Sequence, residues 1–412
     1  MPILCRFGSS WNFLPLNWMR TISSNLNKLY LISALRGTLV FAGVIFLFLE
    51  SINVTVNQFF LILGFYSLIM LILEIPSGYM SDRWGRKNTL LTGSIAASTG
   101  ILLWATSYGF TQYMVGEFFW AIGFACFSGT IEAAMYDTLL EQGRESHYRT
   151  VAGRTQSINA VAQAIVSIIG GLIAAAFSLR AAYWLTVPFV LATIPLALTI
   201  SEPKRHKLQE TGHIDLMARV TMDTLFHRAA LSKIVLLSAT TISLIGILLW
   251  FTQPYQALIQ LPTEYFGITH AAALLMAAVF AQITPKLEKR FDDRLLFLII
   301  LMFITGTYLL LGFTASLFGL AILLVGRSLV GATTPLSTAL INRMTSSDIR
   351  ATVLSVHAFV STLIIAIASP IIGYWAEMLT LQQAFFYTGL IGSGVLVLLF
   401  LGMLRVWKQI PS

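Results

Sequence analysis

Long apolar stretches separated by short polar loops make up almost the whole chain. A membrane-crossing helix needs about 20 mostly apolar residues, because it rises about 1.5 Å per residue across a hydrocarbon core about 30 Å thick. Lipid offers the backbone no hydrogen-bond partner, so each such stretch is predicted to be an α-helix. Twelve windows qualify, and we number them segments 1 to 12 in chain order: 29–50, 56–78, 88–107, 111–137, 154–178, 181–200, 232–254, 267–285, 294–313, 316–342, 351–376 and 383–406.

The composition supports a membrane protein and argues against other classes. Of 412 residues, 57% are hydrophobic and only 11% are charged, whereas soluble domains carry about 25% charged residues. The two cysteines, Cys5 and Cys126, support neither a disulfide framework nor a zinc site. The sequence has no G-x-x-x-x-G-K-[ST], HExxH, CxxC or nucleophile-elbow motif. We therefore predict an all-α integral membrane protein that is not an enzyme and has no catalytic residues, metal or cofactor.

The lysines and arginines are distributed very unevenly between the two sets of alternating loops. The net charge is +8, but the cations lie in short loops and do not form one basic face, which argues against nucleic-acid binding. Of the 26 lysines and arginines, Arg36 and Arg327 lie inside segments, and Arg180 is the one cation in the second set of loops. Cytoplasmic loops are enriched in Lys and Arg. This asymmetry predicts an even number of spans with both termini in the cytoplasm.

The longest loop divides the segments into two sets of six. It covers residues 201–230, and Ile214, Met217, Val220 and Leu225 are spaced as in a short amphipathic helix on the membrane surface. The predicted organisation is a cytoplasmic N-terminal arm, a six-helix bundle, a cytoplasmic linker and a second six-helix bundle, at residues 1–28, 29–200, 201–230 and 231–412.

The loop between segments 2 and 3 has a distinctive pattern of glycines and charges, reading SGYMSDRWGRK over residues 77–87. Six of its residues fit the pattern G-x-x-x-D-R-x-G-R-K: Gly78, Asp82, Arg83, Gly85, Arg86 and Lys87. In this loop and on this side, the pattern resembles the loop signature of the major facilitator superfamily. The stretches LEIPSG (73–78), SGTIEAAMYD (128–137) and RATVLS (350–355) are similar to the drug-exporter-like bacterial branch of that superfamily.

The resemblance implies two six-helix bundles, alternating access and a central site between the halves. It also gives the loop a gating role. Gly78 would let segment 2 approach segment 11 closely, and Asp82 would interact with the helix N-terminus near Arg350. Gly85 would allow a tight turn, and the three cations would meet acidic groups or lipid phosphates. The alternative is a plain cationic anchor that only sets the topology.

Ionisable side chains inside the segments are functional candidates, because burying them in a membrane is costly. Arg36 lies roughly 10 Å into segment 1, and Glu132 lies roughly 8 Å from the cytoplasmic end of segment 4. Because Arg36 and Glu132 lie at similar depths, they are predicted to pair, either as a coupling site or as a structural salt bridge. Asn159 of segment 5 is at a similar depth. Glu117 is the reserve candidate for the coupling acid. Arg327, near the middle of segment 10, is predicted to face the central cavity and attract an anionic group or the acids of the first six segments. The alternative is that it hydrogen-bonds to helix carbonyls.

These features together predict a secondary active transporter that works by alternating access. The leading interpretation is proton-coupled export of small amphipathic molecules by a monomer in the inner membrane, with protons and membrane lipids as further partners. An importer or facilitator for a polar nutrient or a siderophore-like solute is the alternative in the same fold. A non-transporting receptor or assembly factor on a transporter fold is the alternative from another class.

Overall fold

The computed structural model describes residues 25–203, 219, 221–346 and 349–404, which are almost entirely helical. Most of the predicted N-terminal arm and most of the linker lie outside the described residues. Of the four apolar residues of the predicted amphipathic linker helix, Leu225 is the one within the described residues, and it lies in a short π-helix, Asp223–His227.

Every predicted segment coincides with one helix or with two consecutive helices. In segments 1 to 6 the α-helices are α1 (Asn25–Gly37), α2 (Ile45–Ser51), α3 (Val56–Arg83), α4 (Arg86–Ala105), α5 (Phe110–Phe127), α6 (Thr130–Glu141), α7 (Tyr148–Ala176), α8 (Leu179–Leu191) and α9 (Thr193–Thr199). In segments 7 to 12 they are α10 (Ala229–Leu258), α11 (Thr263–Glu288), α12 (Asp293–Leu311), α13 (Leu317–Ser328), α14 (Val330–Arg343), α15 (Arg350–Met378) and α16 (Leu381–Leu404). We call the helices of segments 1 to 6 the first half and those of segments 7 to 12 the second half.

Length and composition identify fewer membrane spans than the twelve predicted segments. Within the described residues, 10 helices are long and apolar enough to cross a membrane, or up to 11 if the bent pair in segment 1 is one span. Helix α4 fills segment 3 but is not among them, and it begins with Arg86, Lys87 and Asn88. The protein is thus a multi-pass membrane protein, and twelve spans remain the prediction.

The two halves pack together through two pairs of helices, α3 against α15 and α7 against α11. Glycines make the tightest approaches: a Cβ at Gly267 would lie 2.0 Å from the carbonyl oxygen of Ser167, and one at Gly373 would lie 2.9 Å from that of Asn57. Glu377 at the end of α15 also accepts a 2.9 Å hydrogen bond from the backbone N–H of Asn57 in the first turn of α3. We call this the sealed end; it carries loops 52–55, 259–262 and 379–380.

The opposite end of the molecule, which carries residues 82–87, is called the loop end. A Cβ at Gly78, near this end of α3, would have no atom within 4 Å. Ile75 and Tyr79 on the same helix are also exposed. The close approach of segment 2 to segment 11 therefore occurs towards the sealed end, and Gly78 takes no part in it in this conformation.

Segment 1 is interrupted beside the sealed end, and side chains from three helices satisfy its free backbone groups. The segment bends by 57° after a 3₁₀ turn, Val40–Gly43. Within the first half, Gln163 accepts from the N–H of Leu39 at 3.4 Å and donates to its carbonyl at 3.2 Å. The hydroxyl of Thr186 accepts from the N–H of Val40 at 3.1 Å.

Gln253 of α10 bridges the same break from the second half. Its amide nitrogen donates to the carbonyl oxygen of Ala42 at 2.8 Å, and its amide oxygen accepts from the N–H of Phe46 at 2.9 Å. Phe46 lies in the first turn of α2, where backbone N–H groups have no acceptor within the helix. The side chain of Gln253, in the second half, therefore provides hydrogen-bond partners for two backbone groups of the first half at the sealed end.

We predict that Gln253→Leu weakens the sealed conformation. The variant leaves the carbonyl of Ala42 and the N–H of Phe46 without partners, at a cost of about 1–3 kcal/mol for each buried group. The population of the sealed conformation should fall roughly tenfold relative to open conformations. Spin labels at cysteines replacing Tyr108 and Phe313, which are exposed on the two halves at this end, would report longer distances.

Gln112→Leu is the matched control, because Gln112 donates its hydrogen bond to Thr106 within the first half. Its distance distribution should equal that of the wild type. A wild-type distribution in Gln253→Leu would contradict the bridging role.

Candidate functional site

Arg36 ends α1 beside the break in segment 1, and its side chain lies against aromatic rings. The guanidinium carbon is 5.2 Å from the ring centre of Phe124 and 5.6 Å from that of Phe127. Its Nε and Nη1 atoms are buried and have no hydrogen-bond partner. Cation–π contacts replace only part of the lost hydration of a buried cation, so this guanidinium has unused hydrogen-bonding capacity.

The predicted ion pair between Arg36 and Glu132 is not formed in this conformation. Glu132 is within electrostatic range of Arg36, but no ion pair within 4 Å joins these two described residues. Segment 4 breaks at Gly129, where φ is +71°, and Glu132 lies exposed in the first turn of α6. A carboxylate in the first turn of a helix is stabilised by the helix dipole, which reduces its need for a cationic partner.

Asn159 connects α7 to the same part of α1. Its amide nitrogen donates to the hydroxyl of Ser33 at 2.9 Å, and its amide oxygen is buried without a partner. A Cβ at Gly37 would lie 4.0 Å from the Asn159 Cγ. Arg36 and Asn159 therefore both present unpaired polar atoms beside the end of α1.

Glu117 is the buried acid of the first half. It lies on α5, its side chain is 7% exposed, and no hydrogen bond or ion pair to it occurs among the described residues. Three tyrosines lie within its electrostatic range: Tyr66, Tyr113 and Tyr183. Tyr66 is in turn within range of Arg36, so a series of polar groups leads from Glu117 through Tyr66 to Arg36 and Glu132.

Arg327 is the buried cation of the second half. It lies in the last turn of α13, is 6% exposed, and donates from Nη1 to the hydroxyl of Thr252 at 3.4 Å. His270 of α11 lies within its electrostatic range. No ion pair among the described residues includes Arg327.

Residues 77–87 form the loop that carries the superfamily signature, and we call it the signature loop. Within it, Arg86 connects three helices of the first half, α3, α4 and α6. It contacts the carboxylates of Asp82 at 2.7 Å and Asp137 at 3.1 Å and the hydroxyl of Ser81 at 2.6 Å. These three residues belong to α3 and α6, so Arg86 ties both helices to the start of α4. The side chain of Asp82 is 72% exposed.

Glu202, directly after segment 6, caps the start of α4. Its carboxylate accepts from the backbone N–H groups of Arg86 at 2.8 Å and Lys87 at 2.9 Å. Gly85 has φ of +105°, and a Cβ there would lie 2.7 Å from the same carboxylate. Only glycine fits this turn without strain. Arg83 instead donates to the hydroxyl of Tyr79 at 2.6 Å.

Sequence reasoning missed the tertiary partners of these residues. Glu202, Tyr66 and His270 were not singled out, although an acid directly after a segment is a possible helix cap. Gln253 was noticeable only as a polar residue near the end of segment 7. Which helix end each side chain reaches depends on how distant segments pack. Among the described residues there is also no group of three or more His, Cys, Asp or Glu side chains that could hold a metal ion.

A bundle of membrane helices whose two halves meet at one end, with unpaired polar groups inside, is an arrangement typical of membrane transporters. The sequence profile of the Major Facilitator Superfamily matches residues 29–287. Because this match covers more than half of the chain, the protein belongs to the Major Facilitator Superfamily. The family predicted from the signature loop is thereby confirmed.

Individual known proteins agree with this assignment. The inner membrane transport protein YajR of Escherichia coli is 30% identical over 139 residues, which are 34% of this chain and 29% of YajR. The match thus spans less than a third of that relative. The crystal structure of the nucleoside transporter NupG is similar with a TM-score of 0.75 and 12% identity, covering 93% of this chain and 99% of NupG. A D-xylose–proton symporter gives a TM-score of 0.72 and 16% identity over 96% of this chain and 98% of its own. At these identities the structures show the fold alone.

We predict opposite stability effects for alanine at two glycines of the signature. Gly85→Ala should lower the apparent melting temperature by several degrees, because its backbone conformation, with φ of 105° and ψ of 155°, costs a residue with a Cβ roughly 1–3 kcal/mol and the added atom meets Glu202. Gly78→Ala should leave the melting temperature unchanged or raise it, because alanine favours a helix interior by roughly 0.5–1 kcal/mol. Thermal unfolding of both purified variants in detergent tests this. Equal losses in the two variants would contradict the role of the Glu202 cap.

Proposed function

We propose that this protein is a secondary active transporter that couples proton entry to the export of small amphipathic molecules by alternating access. The main observation in support of this proposal is that the two halves are in contact at the sealed end, while unpaired polar side chains lie between that end and the loop end. Ionisable groups are costly to bury in a membrane. A scaffold or receptor on this fold has no evident need for them.

The proposal includes the topology. Twelve spans form the bundles at 29–200 and 231–412, and the linker at 201–230 and both termini lie in the cytoplasm of the inner-membrane-bound monomer. The loops rich in lysine and arginine support this orientation. The sealed end then faces outwards, and this conformation is inward-facing.

Glu117 is the proposed coupling acid. It is enclosed and has no partner among the described residues, whereas Glu132 is exposed and close to a helix N-terminus. An ionised carboxylate without a partner costs several kcal/mol in such a place, so the geometry favours Glu117 carrying a proton in this conformation. Opening the sealed end would give Glu117 access to water and protons from outside.

The charge on Glu117 would then act on the rest of the site. When Glu117 is neutral, Tyr66 and Arg36 have no nearby anion except Glu132 or a substrate. When Glu117 is ionised, it competes for the same cation. This competition would couple the protonation of Glu117 to the binding of substrate near Arg36 without any covalent step. The rings of Phe124 and Phe127 beside Arg36 suit an amphipathic substrate.

We predict that Glu117→Gln abolishes gradient-driven transport while exchange without a gradient partly survives. Glutamine keeps the size of the side chain but cannot release a proton. Proteoliposomes carrying a pH gradient, tested with ethidium and benzoate as amphipathic probes and with uridine and xylose as polar probes, measure both activities. Glu50→Gln, an exposed acid at the sealed end, is the control and should transport as the wild type does.

The same assay separates the alternatives. Full gradient-driven transport by Glu117→Gln together with loss in Glu132→Gln would move the coupling role to Glu132. Inward accumulation of uridine or xylose would support the importer. Absence of transport of all four probes by the wild type would favour the non-transporting receptor.

The signature loop is proposed to stabilise closure at the loop end. In this conformation its described contacts lie within the first half, through Arg86, Asp137 and Glu202. In the outward-facing conformation, segments 2 and 11 would approach at Gly78, and Asp82 would reach the start of α15. The Asp82 side chain is 72% exposed and paired with Arg86 in this conformation, and the contact with α15 would add to that pair.

We predict that Asp82→Asn leaves folding nearly intact but lowers the population closed at the loop end. The loss of charge removes the interaction with the helix N-terminus, worth about 0.3–1 kcal/mol at an exposed site. Spin labels at cysteines replacing Ser146 and Lys289, exposed on the two halves at this end, would report fewer short distances. An unchanged distance distribution together with unchanged transport would remove the gating role.

A further inference from the structure

Two arginines of this protein, Arg180 and Arg327, differ in how fully their hydrogen-bond donors are satisfied. Arg180 donates to the carbonyl oxygens of Ala105 at 2.6 Å and Ser107 at 2.7 Å, and it lies over the ring of Tyr108. Arg327 is more deeply buried, yet its one described hydrogen bond is a long one, 3.4 Å to Thr252. The guanidinium of Arg327 therefore has donors that the described residues do not use.

No described acid compensates the charge of Arg327. The described acids of the linker and the second half lie at or beyond the ends of its helices: Asp223, Glu264, Glu288, Asp292, Asp293 and Glu377. A buried guanidinium without a counterion costs several kcal/mol. A cation kept in such a position suits an anion that arrives from outside the protein.

The position of Arg327 connects it to the sealed end. Thr252, which accepts its hydrogen bond, is the neighbour of Gln253, which bridges the break in segment 1. His270 follows Gly267 on α11 by about one helical turn, and Gly267 packs against Ser167 of the other half. A group bound to Arg327 would therefore lie directly inside the seal between the halves.

We propose that Arg327, with Thr252 and His270, forms the subsite for a monoanionic group of the substrate, such as the carboxylate of an amphipathic organic acid. This inference rests on the proposed transport function and narrows its substrate class. The planar guanidinium matches a carboxylate with two parallel hydrogen bonds. One fixed positive charge balances one negative charge, whereas a phosphate dianion would need further cations. The hydroxyl of Thr252, which donates to the carbonyl of Leu248, holds the guanidinium through its oxygen, and His270 lies within electrostatic range of it.

Benzoate and benzamide form the test pair, because they share a shape and differ in charge. Thermal unfolding of the purified protein in detergent is measured against increasing concentrations of each. Benzoate should stabilise the wild type, and benzamide should not. Arg327→Gln should need roughly tenfold more benzoate or greater for the same shift, because charge-assisted hydrogen bonds are lost. Arg327→Lys, which keeps the charge but not the planar fork, should lie between them.

Arg290→Gln is the control, since Arg290 is an exposed arginine at the loop end, and its benzoate response should equal that of the wild type. The same benzoate response in Arg327→Gln and the wild type would overturn the proposal. So would the absence of any benzoate-specific stabilisation of the wild type. Stronger stabilisation by inorganic phosphate than by benzoate would overturn the assignment to a carboxylate.

A second readout needs no ligand. If Arg327 served only to hold helices together, Arg327→Gln would lower the melting temperature without benzoate, as loss of a structural hydrogen-bonding group does. We expect that temperature to stay the same or rise, because the variant removes an uncompensated buried charge. Should Arg327→Gln fail to fold, the structural role is supported and the proposal is overturned.

The binding test does not depend on transport. Charge-selective binding at Arg327 without any transport in proteoliposomes would leave this subsite in place and reject the proposed function. Transport that ignores both the charge of the probe and the Arg327→Gln substitution would reject the subsite and leave the proposed function in place.

Discussion

The structure depends on one constraint: inside a bilayer, every backbone N–H and C=O group needs a partner within the protein. Segment 1 violates helical regularity at Val40–Gly43, so its free groups must be satisfied by side chains. Gln163 does this from the same half and Gln253 from the other half. Because Gln253 is on the opposite half, the hydrogen bonds that satisfy the backbone of segment 1 also hold the two halves together at the sealed end. Closure at this end is thereby linked to the region that positions Arg36.

The charged side chains inside the protein fall into two groups: those whose hydrogen-bonding groups have partners and those whose hydrogen-bonding groups have few or none. Arg86 and Arg180 are surrounded by oxygen atoms within hydrogen-bonding distance. Arg36 keeps unpaired nitrogens, Glu117 has no partner among the described residues, and Arg327 has one long hydrogen bond. In a low-dielectric environment, such unmet capacity is expensive. In the proposed mechanism, a proton relieves it at Glu117 and a substrate relieves it at Arg36 and Arg327.

The signature loop has two distinct physical tasks. Gly85, Arg86 and Glu202 fix the turn between α3 and α4 and join it to the rest of the first half. A Cβ at Gly78 would have no atom within 4 Å, and the side chain of Asp82 is 72% exposed in this conformation. The first set stabilises the turn within one half, and the proposed gating role belongs to the second set.

The sequence by itself determined that the chain is an all-helical membrane protein, where the helices of segments 1 to 12 lie, and the superfamily. These follow from local properties: the length of each apolar stretch, the uneven distribution of lysine and arginine, and the glycines and charges of residues 77–87. Tertiary structure alone decided which polar groups meet. It separated Arg36 from Glu132, because the break at Gly129 turns Glu132 into the first turn of a new helix. It placed Glu117 near Tyr66 of segment 2 and Tyr183 of segment 6, and it brought Gln253 to the break in segment 1. Depth along a helix can be counted from the sequence, but the direction of a side chain around the helix and the helix it faces depend on packing between segments far apart in the chain.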